Sequence, residues 1–345
     1  MYRVGIIGTG KPWRAEGATG HGMSHKHAEG YKQAGDCQLV AVCDLVEENA
    51  RAFADQHGDG NTKVYTDYHA MLQAESLDIV SVCTWPALHA PMVIACAEAG
   101  TKAIHCEKPM ATTWGEAKRM AQACADHGVQ LTFNHQRRFN KPFRRAKELK
   151  QAGAIGELQR IEMICGNLYD WGTHWFDMAF MMNDETPALW MLGQVEVRGA
   201  KPVFGVPIEN QGVAYWKWQN GVHGHMMTGF ETPKDAQIRL VGTTGTIEIG
   251  AANGVSLRIR TDAAPTWETI ETGDTLHGDQ ANYDGVIDLV EALRTGREPE
   301  LSARRALQAT ELIFATYESA RRRGRVELPL TIEDSPIEWL IQAVA

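Results

Sequence analysis

No apolar run in this chain approaches the roughly 20 residues needed to span a bilayer, so no transmembrane helix is expected. An excess of positive charge is missing as well. The formal net charge is -9, whereas a nucleic-acid surface needs a basic face to meet phosphate. An acidic total still leaves room for a local basic pocket and for small anionic ligands. Seven cysteines (Cys37, Cys43, Cys83, Cys96, Cys106, Cys124 and Cys165) include no Cys-x-x-Cys pair. They fall mostly in apolar patterns, where a thiol behaves as a small hydrophobe. Met1-Tyr2-Arg3-Val4-Gly5 runs directly into a strand pattern without a charged leader, so a reducing, cytoplasmic setting is the expectation. Repeats and low-complexity tracts are also lacking. What is there is an ordinary globular balance, 44% apolar and 22% charged, over 345 residues. That length suffices for two domains of roughly 100–200 residues each.

Up to residue 134 two periodicities alternate. Runs rich in valine and isoleucine at Val4–Ile7, Leu39–Cys43, Ile79–Cys83, Lys102–Cys106 and Val129–Phe133 read as strands. Glu47–His57, His89–Ala99 and Thr113–Asp126 carry helical spacing between them. Strands without a polar face are expected where helices cover both sides of a sheet, which predicts an α/β fold with a doubly wound parallel sheet. After Arg138 the rhythm changes. Pro142–Gln151 and Thr173–Met182 read as helices, with a turn at Gly153-Ala154-Ile155-Gly156. Gln194–Arg198, Val213–Trp218, His223–Thr228, Ile238–Val241, Thr246–Ile249 and Leu257–Arg260 read as strands with no helices between them. Hairpin signals at Asn220-Gly221 and Gly242-Thr243-Thr244-Gly245 favour an antiparallel sheet. The expected second domain, 135–278, is therefore α+β with a large, mostly antiparallel open sheet. Two helices, Asp279–Arg294 and Ala303–Arg323, close the chain.

Gly8-Thr9-Gly10 ends the first strand. Glycines there permit a tight turn and let backbone N–H groups approach a pyrophosphate resting on the next helix's N-terminus. The Rossmann fingerprint is broken, because Trp13 stands where the third glycine should be. Asp44, at the end of the second strand, is placed to take both ribose hydroxyls of an adenosine. It lies 34 residues after Gly10, against the roughly 20 expected. If the eleven residues Lys11 to His21 are an insertion, 23 remain, and Gly22-Met23-Ser24-His25 starts the helix with Ser24 at the small third position. Met23 then falls beside the cofactor. A glycine-rich connection with no ligand is the bland alternative. A carboxylate at Asp44 repels a 2′-phosphate, and Leu45 and Val46 supply no cation, so NAD is favoured over NADP. The insertion, with Trp13 and Arg14, reads as a flap over the nicotinamide, a subunit contact or a plain surface loop.

Two further segments carry chemistry. Glu107-Lys108-Pro109 follows the fifth strand, and strand C-termini in open α/β sheets face the ligand crevice. A solvated Glu–Lys pair is the plainer reading. In Asp170-Trp171-Gly172-Thr173-His174-Trp175-Phe176-Asp177, a helix would put Asp170, His174 and Asp177 on one face. An imidazole beside a carboxylate suits a base that accepts an alcohol proton, although such pairs are often structural. His21, His25 and His27 cluster near the first helix but lack partner ligands, so no metal is expected. Trp85, Trp171 and Trp175 suit a sugar ring or the core equally; Trp216 and Trp218 suit an interface or the core.

In order along the chain, Val4-Gly5-Ile6-Ile7-Gly8-Thr9-Gly10, Asp44, Thr84-Trp85-Pro86 with His89, Glu107-Lys108-Pro109, Arg137-Arg138-Phe139 and Asp170-x-Gly172-x-His174-x-x-Asp177 together resemble the glucose–fructose oxidoreductase / inositol dehydrogenase / MocA (Gfo/Idh/MocA) family. Gly242-Thr243-Thr244-Gly245 and the closing helices extend the resemblance over nearly the whole chain. It implies an NAD-dependent dehydrogenase that moves hydride between a nicotinamide and a hydroxyl-bearing carbon of a sugar or cyclitol. Lys108, Asp170 and His174 would then be the reacting trio: His174 takes the hydroxyl proton, Asp170 orients it and Lys108 bonds the reacting oxygen. Thr84, Pro86, His89 and Glu107 would line the cofactor, and Arg138 and Asp177 would hold substrate hydroxyls. The resemblance also implies a homodimer or homotetramer through the C-terminal sheet, with the closing helices, about 279–345, packing back on the Rossmann domain 1–134. A redox-neutral sugar enzyme, such as a glycosidase or epimerase using the same site, and a non-catalytic dinucleotide or sugar sensor remain open.

Overall fold

Val4, Ile6, Val42, Ile79 and Ala103 have no exposed surface, as strands covered on both faces require. They belong to a sheet of six strands: β1 (Tyr2–Ile7), β2 (Cys37–Cys43), β3 (Lys63–Tyr65), β4 (Ile79–Val82), β5 (Ala103–Cys106) and β6 (Gln130–Phe133). All neighbours pair in parallel, in the order β3-β2-β1-β4-β5-β6. This computed structural model describes residues 1–199, 201–229 and 236–344. They divide into two units, the first comprising Met1–Thr112, Glu116–Gln136 and Asp279–Ala306.

The first unit's order is that of a dinucleotide-binding Rossmann sheet, which reverses between β1 and β4 and opens a ligand crevice beyond their C-terminal ends. Its helices include α1 (Met23–Ala34), α2 (Glu47–His57), α3 (Tyr68–Ala74), α4 (Pro86–Glu98) and α5 (Trp114–Asp126). Strand β3 and helix α3 are additions to the sequence reading, because three strand residues carry too little periodicity to register. The helix Gln280–Thr295 packs on α1 through Gly30, where a Cβ would lie 2.7 Å from that of Val286. Val286, Leu289 and Val290 there complete a core with Ala28, Tyr31 and Phe53.

The second unit contains Arg137–Gly278 and the chain from Leu307 onward. Its strands are β7 (Leu158–Cys165), β8 (Ala188–Glu196), β9 (Gln211–Trp218), β10 (His223–Thr228), β11 (Ala236–Gly242), β12 (Gly245–Ala251), β13 (Leu257–Thr261), β14 (Glu268–Thr269) and β15 (Val326–Glu327). They form one sheet, β14-β13-β12-β11-β7-β10-β9-β8-β15, antiparallel except where β7 meets β10. Helices α6 (Lys141–Gln151) and α7 (Gly172–Met182) belong to this unit. Trp216 and Trp218 resolve as core: both are fully buried, edge-on to Phe176 and Phe180 of α7. The helix Ala303–Arg322 lies for most of its length in this unit, contrary to the expectation that the whole C-terminal stretch joins the first. The reason is local. Ser319 Oγ accepts the Gly193 amide of β8 at 2.8 Å, and a side chain on Gly193 would strike Thr316.

Candidate active site

In the first unit, β1 runs into Gly8 and Gly10, both left-handed at φ 84° and 57°. A Cβ on Gly8 would meet the Cys83 carbonyl at 2.8 Å, whereas nothing lies within 4 Å of one on Gly10. The backbone is thus tight on the protein side and open on the ligand side, the cradle a pyrophosphate needs. The repaired spacing holds: α1 starts at Met23, and Lys11 to His21 form a loop before it. Ser24, fully buried, donates to the Thr9 carbonyl at 2.5 Å and ties the helix to the turn. Met23 sits partly exposed at the helix's first position. In the loop, Arg14 stacks 4.1 Å above an exposed Trp13.

Asp44, at the tip of β2, accepts the Gly10 amide at 2.8 Å and the Thr9 hydroxyl at 3.1 Å through one oxygen. Its other oxygen accepts the Val46 amide at 2.9 Å. The acid therefore stands at the glycine turn itself, next to the exposed and uncharged Leu45 and Val46. These residues fit an NAD adenosine and diphosphate.

The Lys108 loop is held from below. Glu107, nearly buried, accepts His27 Nε2 of α1 at 2.9 Å and Asn134 Nδ2 at 2.7 Å on one oxygen. Its other oxygen accepts the Lys108 amide at 3.3 Å. Asn134 also reaches Asn282 at 3.1 Å, and His27 Nδ1 lies 3.0 Å from Ser81 Oγ. Burial works to raise the Glu107 carboxyl. The hydrogen bond and charge of His27, then Asn134 and Lys108, outweigh it and hold it down at about 2. Lys108 itself is half-buried at the end of β5.

Two expected cofactor contacts change character. His89 has no exposed surface; its ring nitrogens face the Pro109 carbonyl at 3.0 Å and the Thr84 carbonyl at 3.1 Å. It ties the loop after β4 to the loop after β5, and burial lowers its pKa. Pro86 is buried as the first residue of α4, where its fixed φ suits a helix start. Thr84 stays partly exposed beside Gly8. Of the three early histidines, His21 precedes α1 and sits by Trp13, and His25 Nδ1 pairs with His57 Nε2 at 2.8 Å. No cluster of metal-binding side chains occurs among the described residues.

In the second unit, the Asn167 side chain accepts the amides of Asp170 at 2.6 Å and Trp171 at 3.2 Å. These bonds close a turn that launches α7. Asp170 therefore lies in the turn and not on the helix face the spacing suggested, while His174 is nearly buried in the first turn of α7. Glu209 braces the turn from behind, accepting the Leu168 amide at 2.5 Å and the Tyr317 hydroxyl at 2.7 Å. Burial raises its pKa.

Arg138 and Asp177 also depart from expectation. Neither has exposed surface, and the guanidinium donates to both Asp177 oxygens at 2.7–3.0 Å and to Glu185 at 2.6 Å. The pair clamps α7 inside the unit. Trp175 is core, whereas Trp171 and Trp85 are exposed. Sequence reasoning missed the roles of His27, Asn134, Asn167 and Glu209, since each acts on residues brought together only by folding.

A Rossmann order, a glycine cradle and an acid at the second strand's tip define an NAD-binding oxidoreductase. The chain belongs to the Gfo/Idh/MocA family. Residues 2–135 match its "Oxidoreductase family, NAD-binding Rossmann fold", and residues 159–328 match its "Oxidoreductase family, C-terminal alpha/beta domain". Over 211 residues the chain is 30% identical to myo-inositol 2-dehydrogenase of Thermotoga maritima, covering 56% of this chain and 59% of that protein. It is 26% identical over 351 residues to D-apiose dehydrogenase of Paraburkholderia graminis, covering 91% and 89%. A levoglucosan dehydrogenase solved with NADH and levoglucosan shares the fold, with a TM-score of 0.79 and 20% identity over 95% of this chain and 100% of that one.

Proposed function

We propose that the protein is an NAD-dependent dehydrogenase of a sugar or cyclitol hydroxyl. The observation that carries this reading is the pair of built supports under the candidate reacting groups. Glu107, His27 and Asn134 fix the backbone at Lys108, and Asn167 and Glu209 fix the turn that presents Asp170 before His174. Relatives named for myo-inositol and D-apiose supply the substrate class.

NAD⁺, when bound, supplies the acceptor for the hydride that leaves the carbinol carbon. Gly8, Gly10 and Met23 line its diphosphate side, Asp44 takes the adenosine ribose, and Thr84 lies toward the nicotinamide. The absence of a cation at Leu45 and Val46 favours NAD over NADP. Lys108 donates a hydrogen bond to the substrate oxygen and stabilises the negative charge that grows on it. His174 takes the hydroxyl proton, Asp170 orients the imidazole, and a carbonyl remains.

The outer face of the second unit's sheet exposes Leu192, Val213, Tyr215 and Met227, an apolar patch suited to a homodimer or homotetramer. Seven free thiols suit a reducing cytoplasm. The test is a screen of sugars and inositols with NAD⁺. A dehydrogenase accumulates NADH in step with product; product without NADH would indicate a redox-neutral enzyme, and binding without turnover a sensor.

A further inference from the structure

Arg137 and Arg138 are neighbours in sequence and equally hidden, yet they are partnered in opposite ways. Arg138 faces two carboxylates, Asp177 and Glu185. Arg137 has none within ion-pair distance among the described residues. Its Nη1 donates to the Leu276 carbonyl at 2.8 Å, its Nη2 lies 3.3 Å from His277 Nδ1, and its buried Nε has no partner. The guanidinium lies over the ring of Trp175 at 4.6 Å and that of Trp171 at 5.7 Å. Burial pulls its pKa down to about 10, with Cys165 and Asp170 offsetting part of the shift.

A charged guanidinium in this position, bonded only to neutral acceptors, lacks the counter-charge that normally accompanies burial. The group nearest to being exchangeable is His277. Its side chain is exposed, its bond to Arg137 is long, and burial followed by the charge of Arg137 lowers its pKa, so it meets Arg137 as a neutral acceptor. His277 also stands edge-on to Trp171, 6.1 Å between ring centroids, and Trp171 is 41% exposed. An exposed indole, an exchangeable imidazole and an arginine without an acid therefore share one place, and Trp171 adjoins Asp170 in sequence.

We propose that Arg137 and Trp171, with His277 as a displaceable cap, form a receptor for an anionic oxygen group, so that the substrate is an acidic sugar, a carboxylate- or phosphate-bearing ring. The anion displaces His277 from Nη2 and gives Arg137 a charge-assisted partner, while the ring's C–H face lies on Trp171. This deepens the dehydrogenase reading and rests on it for the word substrate; anion recognition itself is separable from turnover.

The experiment measures binding to the full-length protein with NADH present, by calorimetry and Trp fluorescence. Probes are D-glucuronate against D-glucose, D-galacturonate against D-galactose, and glucose 6-phosphate, followed by turnover with NAD⁺. The acidic members are expected to bind at least about tenfold more tightly than their neutral partners, the scale of one charge-assisted bond. Uronate preference identifies a carboxylate receptor, and preference for the 6-phosphate a phosphate receptor. Arg137→Gln is expected to erase the preference with NADH binding and circular dichroism unchanged, and His277→Ala to keep it. The wild-type comparison stands even if Arg137→Gln does not fold. Equal binding of acidic and neutral sugars, no binding of any acid, or a preference that survives in folded Arg137→Gln overturns the proposal. Acid binding without NADH formation would sink the dehydrogenase reading alone; neutral sugars oxidised as efficiently as acids would sink this one alone.

Discussion

His27 Nε2 lies 2.9 Å from Glu107 Oε1, joining α1 to the residue before Lys108 across 80 positions of sequence. The contact ties α1 to the loop that carries Lys108. Glu107→Gln removes the charge from this network but keeps its shape. In the folded protein the carboxyl sits at about 2, below its ordinary 4.5. A depressed acid stabilises fully above its unfolded pKa and loses that contribution as pH falls through the folded value. The contribution is roughly 3 kcal/mol at neutral pH. Urea midpoints are expected to drop for the variant at pH 7, and the gap to wild type to shrink between pH 4.5 and 2. A constant gap across that window would separate the stabilisation from the charge.

Asp44, bonded to the Gly10 amide, is the residue proposed to set cofactor choice. Asp44→Ala removes an acceptor for the Gly10 amide and the proposed acceptor for the ribose hydroxyls. The KM for NAD⁺ is expected to rise about tenfold or more, on the scale of a charged hydrogen bond. Asp44→Ser combined with Leu45→Arg replaces repulsion of a 2′-phosphate with attraction, and NADP⁺ use should emerge. Unchanged ratios of kcat/KM for the two cofactors would place the ribose elsewhere.

His174→Asn and Lys108→Met test the reacting pair. Each is expected to lower kcat by about 10²–10⁴ while NADH affinity moves less than threefold, since both are proposed to act on the substrate oxygen and its proton. Lost NADH binding in His174→Asn would mark the histidine as structural.

Much of the fold was legible because its signals are local. The apolar runs of β1, β2, β4, β5 and β6 needed no partner to be recognised, and the discounted insertion put the helix entry at Gly22-Met23-Ser24-His25, where α1 begins with Met23. Strand β7 was not legible, although Leu158–Cys165 alternates buried and partly exposed positions. Arg160 and Glu162 interrupt its apolar run, and only the folded sheet reveals that they belong to an ion-pair ladder with Arg239, Glu248 and Arg258. The site divides in the same way. Motif residues such as Gly8, Asp44 and Lys108 announce themselves by position, while His27, Asn134 and Glu209 act through contacts that span tens of residues. The Arg138–Asp177 bond was not legible, because a charged pair in a motif looks alike whether it faces a ligand or itself.

The sheet face of the second unit makes a separate prediction. Leu192, Val213, Tyr215 and Met227 are exposed on adjacent strands β8, β9 and β10, and burying them would repay roughly 25 cal/mol per Å². Leu192→Arg with Val213→Glu introduces charges that a closed interface must desolvate. Sedimentation velocity is expected to show an oligomer for wild type and a smaller species for the variant. A monomeric wild type would remove the interface from this face.

Arg138→Met tests the clamp under α7. Its guanidinium is the partner of Asp177, which has no exposed surface, so the single change strands a buried carboxylate. Removing one member of such a pair costs about 3–5 kcal/mol, while replacing both with apolar residues is often near neutral. Arg138→Met is therefore expected to lower the urea midpoint sharply, and Arg138→Met combined with Asp177→Leu to recover part of the loss. Glu185 tempers the recovery, because it keeps a charge that lost the same arginine but is less deeply buried. If the two residues instead held substrate hydroxyls, the double variant would fold well and raise the substrate KM while Arg138→Met left stability unchanged. Chemical denaturation and steady-state kinetics on the same preparations separate the two roles.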